Sequence, residues 1–431
     1  MEKIKAAIFG FGNRGRCYAG LMVTHPEIFE VVQVVDTNET ALSYATSWLG
    51  IKKENLYHSV DEWLEKAPHV ADVVINCTMD QYHYQTTMPL FKLGYHVLLE
   101  KPISMNPKEL LDLLNEAKKY KREFAVCHVL RYAPFYKKIK EILLTKEIGD
   151  LVSMEMAEHV YIPHMLASYI RGKWKSEKEC GSPMIMAKCC HDTDLMCWLN
   201  EGSRPEIISS IGSRSVFVPG RKPEGASDKC MTCKYMKTCQ YSAYLNVVNP
   251  GMDSIIFQNA MPGKQWDEVT EEDKKKILLE SSSLGVCAYS GPQDIVDHQV
   301  TSVRFTNGVT ATLNMIGGTS YPCRTIHIIA TSGEIFGVLE ENKVYVRHYE
   351  KDKFWRDLVT YDFGNVGEGH SGGDERLIED FIRYLITKKK SISLTDVSDS
   401  IDGHLLAIGA DMSEKNNKTV YFSEDRELKF M

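Results

Sequence analysis

The run from Ile4 to Phe9, followed by Gly10, Gly12 and Gly15, constrains this chain more than any other stretch. A short apolar run that breaks into G-x-G-x-x-G reads as a buried strand, a tight turn and the start of a helix. Each glycine has its own reason. Gly10 permits the turn, Gly12 leaves room for a pyrophosphate against the main chain, and Gly15 lets the helix pack on the strand. The unpaired N–H groups of that helix start, around Asn13 and Arg14, point their positive dipole end at the phosphates. A second apolar run, 31–35, ends in Asp36, 21 residues after Gly15, where a carboxylate takes the ribose hydroxyls of an adenosine. Thr37, Asn38 and Glu39 follow it, and none is an arginine that could neutralise a 2′-phosphate. The pattern therefore predicts a dinucleotide site that prefers NAD, with NADP the less favoured cofactor.

At 431 residues the chain exceeds one ordinary core. Two domains are expected, with 1–127 binding the dinucleotide and 128–431 carrying substrate and subunit contacts. A net charge of −7 argues against the electrostatic footprint of a nucleic-acid binder. No apolar stretch reaches the roughly 18 residues a membrane span needs. Met1 also leads straight into the first strand without a signal sequence. These features predict a cytoplasmic protein, in which the 12 cysteines are thiols or metal ligands.

Strand and helix patterns alternate as far as residue 128. Helices are predicted over 14–23, 40–49, 60–66, 83–93 and 107–120, and strands over 31–35, 56–58, 71–77, 96–99 and 124–128. Such alternation predicts a doubly wound parallel sheet, a Rossmann domain, whose ligand lies beyond the carboxyl ends of the strands. Gly10, Asp36, Thr78 and Glu100-Lys101-Pro102 all fall at those ends. From about residue 150 a period of two takes over, at 151–161, 207–217, 299–305, 309–315, 325–330 and 343–349, with Asn307-Gly308 as a hairpin turn. This second part reads as α+β, a large, mainly antiparallel open sheet with one face covered by helices 183–199 and 375–387. Residues 218–290 interrupt it with prolines, cysteines and a charged run at 267–276.

Several residues could carry chemistry. Lys101 stands where a nicotinamide ring would lie, and could take a substrate hydroxyl proton while hydride leaves the carbon. In isolation a lysine in a turn is a surface residue; its strand-end position favours the chemical reading. Ser182 and Pro183 suit the start of a helix in which spacing sets Lys188, His191, Asp194 and Trp198 near one face. His191 is then a candidate for proton transfer, and Lys188 adds positive charge beside it, while Cys189 and Cys190 read as packing residues. Asp294, Asp297 and His298, and likewise His370 and Asp374, read either as capped turns or as substrate contacts. Cys230-x-x-Cys233 with Cys239 has the opening spacing of a structural zinc site but only three thiols, leaving zinc and reduced loop cysteines both open.

Together these residues resemble the glucose–fructose oxidoreductase / inositol dehydrogenase (Gfo/Idh/MocA) family. The resemblance runs through GFGNRG, residues 77–102 with His83 and Glu100-Lys101-Pro102, HVLRYAPFYKKIKEI at 128–142, and Trp174 ahead of the histidine stretch. It implies NAD(P)-dependent oxidation or reduction of a sugar, cyclitol or glycoside, with Lys101 and His191 in proton transfer. It further implies that Thr78, His83, Glu100, Pro102 and Arg131 serve the cofactor, and that Tyr132, Trp174, Asp192, Asp297, His298 and His370 serve the substrate. Subunit contacts are implied through the open sheet, making a homo-oligomer. One departure stands out: where inositol dehydrogenases carry an aspartate four residues before the histidine, this chain has Ala187, and it looks like a branch with Lys-x-x-His-Asp. An elimination-type glycosidase using retained NAD is the alternative enzyme, and a non-catalytic dinucleotide sensor the alternative of another class.

Overall fold

The structure is a computed structural model, and it describes residues 3–248, 269–281, 283–291, 293–349, 358–367 and 369–430. Residues 249–268, within the cysteine-bearing excursion and including the start of its charged run, lie outside the described residues.

Six strands, β1 (Ile4–Phe9), β2 (Phe29–Val35), β3 (Leu56–Tyr57), β4 (Val73–Asn76), β5 (His96–Leu99) and β6 (Phe124–Val126), form a parallel sheet in the order β3-β2-β1-β4-β5-β6. The inner strands are apolar on both faces because helices cover both, as a parallel sheet requires. Helix Pro107–Tyr120 shows how the sequence sets such a cover. Asn106 accepts from Lys108 N at its start, Pro107 fits the first turn, and Leu110, Leu113, Leu114 and Ala117 fall on the buried side.

The second sheet has ten strands, β7 (Leu151–Tyr161), β8 (Pro205–Ser213), β9 (His298–Phe305), β10 (Thr310–Thr319), β11 (Cys323–Ala330), β12 (Gly333–Val338), β13 (Lys343–His348), β14 (Leu358–Asp362), β15 (Val420–Phe422) and β16 (Leu428–Phe430). Their order is β14-β13-β12-β11-β7-β10-β9-β8-β15-β16. Every pair is antiparallel except β7 with β10, which run parallel in the middle. Alternate residues of β9, β10 and β11 are buried, so one face packs and the other is open.

Two expectations about the covering helices need correction. The stretch 183–199 is not one helix: a turn at Met184–Ala187 and helix Cys190–Leu199 are separated by a break, with Lys188 at φ −107°, ψ −51° and Cys189 at φ −96°, ψ 9°. Helix Gly369–Thr387 returns instead to the parallel sheet, where Leu377, Ile378, Phe381 and Ile382 pack with Ala6, Ile8 and Tyr18. The cover it was expected to give comes from helix Val397–Asn416, whose Ile401, Leu405, Leu406 and Ile408 are buried. That helix presses on helix Cys190–Leu199 at Gly403, where a Cβ would sit 2.8 Å from the Asp194 Cα.

Candidate active site

The turn after β1 is built as the glycines require. Gly10 has φ +80°, and a Cβ on it would meet Cys77 O at 2.4 Å; one on Gly15 would meet Gly10 O at 2.1 Å. Gly12 has nothing within 4 Å of its missing side chain, which leaves the open approach a pyrophosphate needs. No side chain caps helix Asn13–Val23, so its first N–H groups are free to face phosphate. The Asp36 carboxylate accepts from Phe11 N at 2.6 Å and Asn38 N at 2.8 Å, fixing it at the end of β2. The residues present therefore fit a dinucleotide. One group that sequence order hid also stands there: Arg16, over the Tyr44 ring at 4.5 Å and donating to Phe11 O at 3.0 Å, is close enough for Asp36 to be felt by its charge.

Four residues expected at the cofactor act here as braces. Arg14 is 27% exposed and fully engaged: it bonds Glu100 Oε1 at 2.8 Å, Asp374 Oδ1 at 2.7 Å and Tyr18 Oη at 2.6 Å. Burial acts to raise the Glu100 pKa, but Arg14 and Lys101 outweigh it and hold the carboxylate below its usual range. The buried His83 ring spans two main-chain oxygens, with Nδ1 2.6 Å from Pro102 O and Nε2 3.0 Å from Thr78 O, joining the ends of β4 and β5. Thr78 Oγ1 itself bonds Asn76 Oδ1 at 2.8 Å. Arg131 is farther from the expected part: it lies in a buried two-pronged pair with Asp194, at 2.7 and 2.6 Å.

Lys101, which follows Glu100 and is joined to Pro102 by a cis peptide, reaches out of the parallel sheet. Its Nζ donates to Ala187 O at 3.1 Å, which brings it to the break before the His191 helix. His191 is 4% exposed, and its Nδ1 has no partner among the described residues. Burial, then the charges of Lys101 and His370, push its pKa well below 6.5, so the imidazole is neutral near neutral pH. Two further rings surround it, His370 at 5.7 Å and His128 at 5.8 Å between centroids. His370 sits in a left-handed run, with φ 49° at His370, 54° at Ser371 and 73° at Gly372. Its Nδ1 lies 3.1 Å from Asp374 Oδ2, so the same aspartate holds both His370 and Arg14. Backbone strain of this kind persists where surrounding contacts over-determine it, and it gathers at functional sites.

Lys188 does not stand free beside His191. The break in the helix turns it to Glu158, Nζ to Oε1 3.0 Å, and Glu158 also binds Arg324 at 2.6 Å. Arg324 in turn reaches Asp192 at 3.1 Å. The four charges form one buried chain, and Asp192, expected to face substrate, is engaged within it. Burial raises its pKa and Arg324 opposes the rise. Sequence reasoning missed Glu158 and Arg324, although a signal existed. Glu158 occupies the inward register of β7 with Met154, Met156 and Val160, Arg324 that of β11 with Ile326 and Ile328, and the two are cross-strand partners. It also missed His164, which follows β7 in a short helical turn. Burial, then Lys188 and Arg324, push its pKa well down. Nothing in the local sequence marks it.

Trp174 completes one wall: its Nε1 donates to Asp80 Oδ2 at 3.1 Å and its ring lies 6.3 Å from that of Tyr169. Three other expected substrate contacts are used elsewhere. Tyr132 is buried in the parallel-sheet core with Phe381. Asp297 accepts from Ser215 N, Val216 N and Phe217 N, at 3.0, 2.7 and 3.2 Å, and binds His298 Nδ1 at 2.7 Å, making the capped turn of the two sequence readings.

Residues 4–128 match the model of the Gfo/Idh/MocA oxidoreductase family, described as having an NAD-binding Rossmann fold. Its N-terminal domain belongs to the Gfo/Idh/MocA family of oxidoreductases. It is similar to the oxidoreductase YteT of Bacillus subtilis, 23% identical over 72% of this chain and 71% of the relative. It is also similar to 1,5-anhydro-D-fructose reductase of Ensifer adhaerens, 28% identical over 47% of this chain and 57% of that one. A levoglucosan dehydrogenase, solved with NADH and levoglucosan, shares its fold with a TM-score of 0.71 at 14% identity, covering 97% and 99% of the two chains. An NAD-binding protein from Listeria innocua does so with a TM-score of 0.64 at 17% identity, covering 97% of each. That domain, with the oxidoreductases matched along the chain, makes it an NAD(P)-dependent oxidoreductase. Among the described residues no helix is long and apolar enough to cross a membrane.

Proposed function

We propose that this protein transfers hydride between NAD and a secondary hydroxyl of a sugar, cyclitol or glycoside, with Lys101 as the base and His191 positioning the same oxygen. The observation that carries this reading is the bond from Lys101 Nζ to Ala187 O, which joins the strand-end lysine to the segment leading into His191. Bound NAD supplies the hydride acceptor. As the substrate C–H electron pair leaves as hydride, the hydroxyl proton passes to the Lys101 amine and the oxygen becomes a carbonyl. A neutral His191 has one ring N–H to donate and one nitrogen to accept with, so it can hold the hydroxyl through that change. Lys188 is paired within the chain of Glu158, Arg324 and Asp192 rather than adding a free cation.

Relatives support a polyhydroxylated substrate: an inositol 2-dehydrogenase of Lactiplantibacillus plantarum, 24% identical over 30% of this chain, and the anhydrofructose reductase act on such rings. Asp36 favours NAD, and Arg16 moderates that preference. We assign subunit association to the open sheet face, where Ile211 and Val300 are cross-strand partners and both exposed. A screen of sugars, cyclitols and glycosides tests the activity. NADH accumulating with one of them is the expected result. Glycoside cleavage with NAD retained and no net NADH would replace it with transient oxidation and elimination.

A further inference from the structure

The excursion 218–290 carries three cysteines close in sequence, and the fold adds a fourth. Cys230 opens a single 3-10 turn, and Cys233 N donates to Cys230 O at 3.1 Å, so two thiols leave one tight turn. Two more turns, Met236 N to Cys233 O at 3.0 Å and Cys239 N to Tyr235 O at 2.9 Å, bring the chain back with Cys239. Opposite them, Lys229 and Val286 form an antiparallel bridge. It is closed by Cys230 N to Gly285 O and Cys287 N to Asp228 O, both 2.8 Å. This bridge carries Cys287, 48 residues beyond Cys239, to the same place. All four cysteines line one cavity, and none is in a disulfide.

A second observation points to negative charge at that cavity. Arg171 is 2% exposed, yet no carboxylate pairs with it among the described residues. Its guanidinium donates to Val286 O at 2.8 Å and Tyr241 O at 2.7 Å, lies 3.5 Å from Cys230 Sγ, and leaves Nη1 with no partner. A buried permanent cation needs a counter-charge. Of the groups it reaches, only the sulfur can become an anion.

We propose that Cys230, Cys233, Cys239 and Cys287 bind one zinc ion as a closed four-thiolate structural site, with Arg171 as its buried counter-charge. Each thiol that binds gives its proton to solvent, and four thiolates on a divalent ion leave a net negative charge, part of which Arg171 balances. The Cys-x-x-Cys turn has the spacing of such sites. The sulfurs must draw in on binding: no three lie within 4.8 Å of one another, whereas tetrahedral zinc thiolate sets them about 3.8 Å apart. A change between staggered χ1 wells moves a cysteine sulfur about 3 Å with the backbone in place.

The site has work to do in the fold. Among the described residues Cys230, Ala243, Val248 and Leu278 are the buried members of the local apolar cluster, a small core for a loop module without a staple. Arg171 directly follows the π-helical turn Met165–Ile170, which carries Tyr169, and Trp174 stands three residues beyond. The metal module thereby fixes the wall that presents Tyr169 and Trp174 to the candidate pocket.

Metal analysis of the untagged, full-length protein, made in zinc-supplemented medium and purified without chelator, is expected to give about one zinc per chain. Cobalt exchanged into the site should show the strong visible absorption of a tetrahedral thiolate. Cys287→Ser should lower bound zinc at least fourfold and abolish that cobalt spectrum, and Cys323→Ser should leave both unchanged. If Cys287→Ser does not fold, mercurial titration of the wild-type protein decides, with one zinc released as four thiols react. Less than a tenth of an equivalent of zinc in the wild type, a full equivalent in folded Cys287→Ser, or iron with inorganic sulfide in place of zinc would each overturn the proposal.

Discussion

The turn after β1 and the charge chain anchored on β7 and β11 are built from different materials. At the first, Gly10, Gly12, Gly15 and the uncapped start of helix Asn13–Val23 offer main-chain groups, and the nearby side chains Arg14, Glu100 and His83 brace the frame. At the second, the half-buried Lys188 and the buried Glu158, Arg324 and Asp192 pair with one another, near histidines kept neutral by burial. Main-chain recognition asks little of any one side chain. A buried charge chain is different: each member depends on its neighbours, because removing one leaves another uncompensated in a medium that solvates it poorly.

That contrast predicts a large asymmetry in stability. Glu158→Gln leaves Lys188 and Arg324 facing Asp192 alone, and should cost about 3–5 kcal/mol. Asn38→Ala, which removes the cap bonds to Thr40 N and Ala41 N beside the cofactor turn, should cost about 1 kcal/mol. Urea denaturation of both variants measures the difference, and equal losses would break the comparison.

Acid should also act on the histidine side. His404 donates from Nδ1 to Ser400 O at 2.9 Å and accepts from Ile103 N at 3.0 Å, a neutral tautomer. Burial lowers its pKa from 6.5 to about 4, against the opposing pull of Ser400 O and Asp194. The unfolded chain binds a proton below pH 6.5 that the folded chain refuses until about pH 4. Stability is therefore full above pH 6.5 and falls as pH drops toward 4, by about 3 kcal/mol from this group. His128 and His191 shift in the same direction. A denaturation midpoint that stays level between pH 7 and pH 5 would count against neutral buried histidines.

A modest effect is expected at the cofactor's adenosine end. Asp36→Ala should weaken NAD and narrow its advantage over NADP about tenfold, or about 1.4 kcal/mol, with Arg16 left to meet a 2′-phosphate. Titrating both cofactors into both proteins checks it, and an unchanged ratio would remove Asp36 from the selection.

The parallel sheet was legible because local rules decide it. Period, glycine spacing and strand ends each speak within a few residues, and β1, β2, β4 and β5 stand where those rules put them. The pocket was legible only in part. Lys101 and His191 do converge, but the helix expected through 183–199 breaks at Lys188 because a buried ion pair with Glu158 outweighs local periodicity. Arg14 and Arg131 were read as cofactor contacts, since sequence shows a charge but not the buried partner that occupies it. Cys287 was passed over because a β-bridge, not spacing, brings it to the other three cysteines.

The most direct test of the proposed chemistry is Lys101→Met, which keeps length and apolar stem while removing the amine. Single-turnover hydride transfer should fall about a thousandfold. NAD affinity, measured by titration on the same protein, should stay within about threefold, because the glycine turn and Asp36 are untouched. Transfer at near the wild-type rate in Lys101→Met, with cofactor bound, would contradict the assignment of Lys101 as the base.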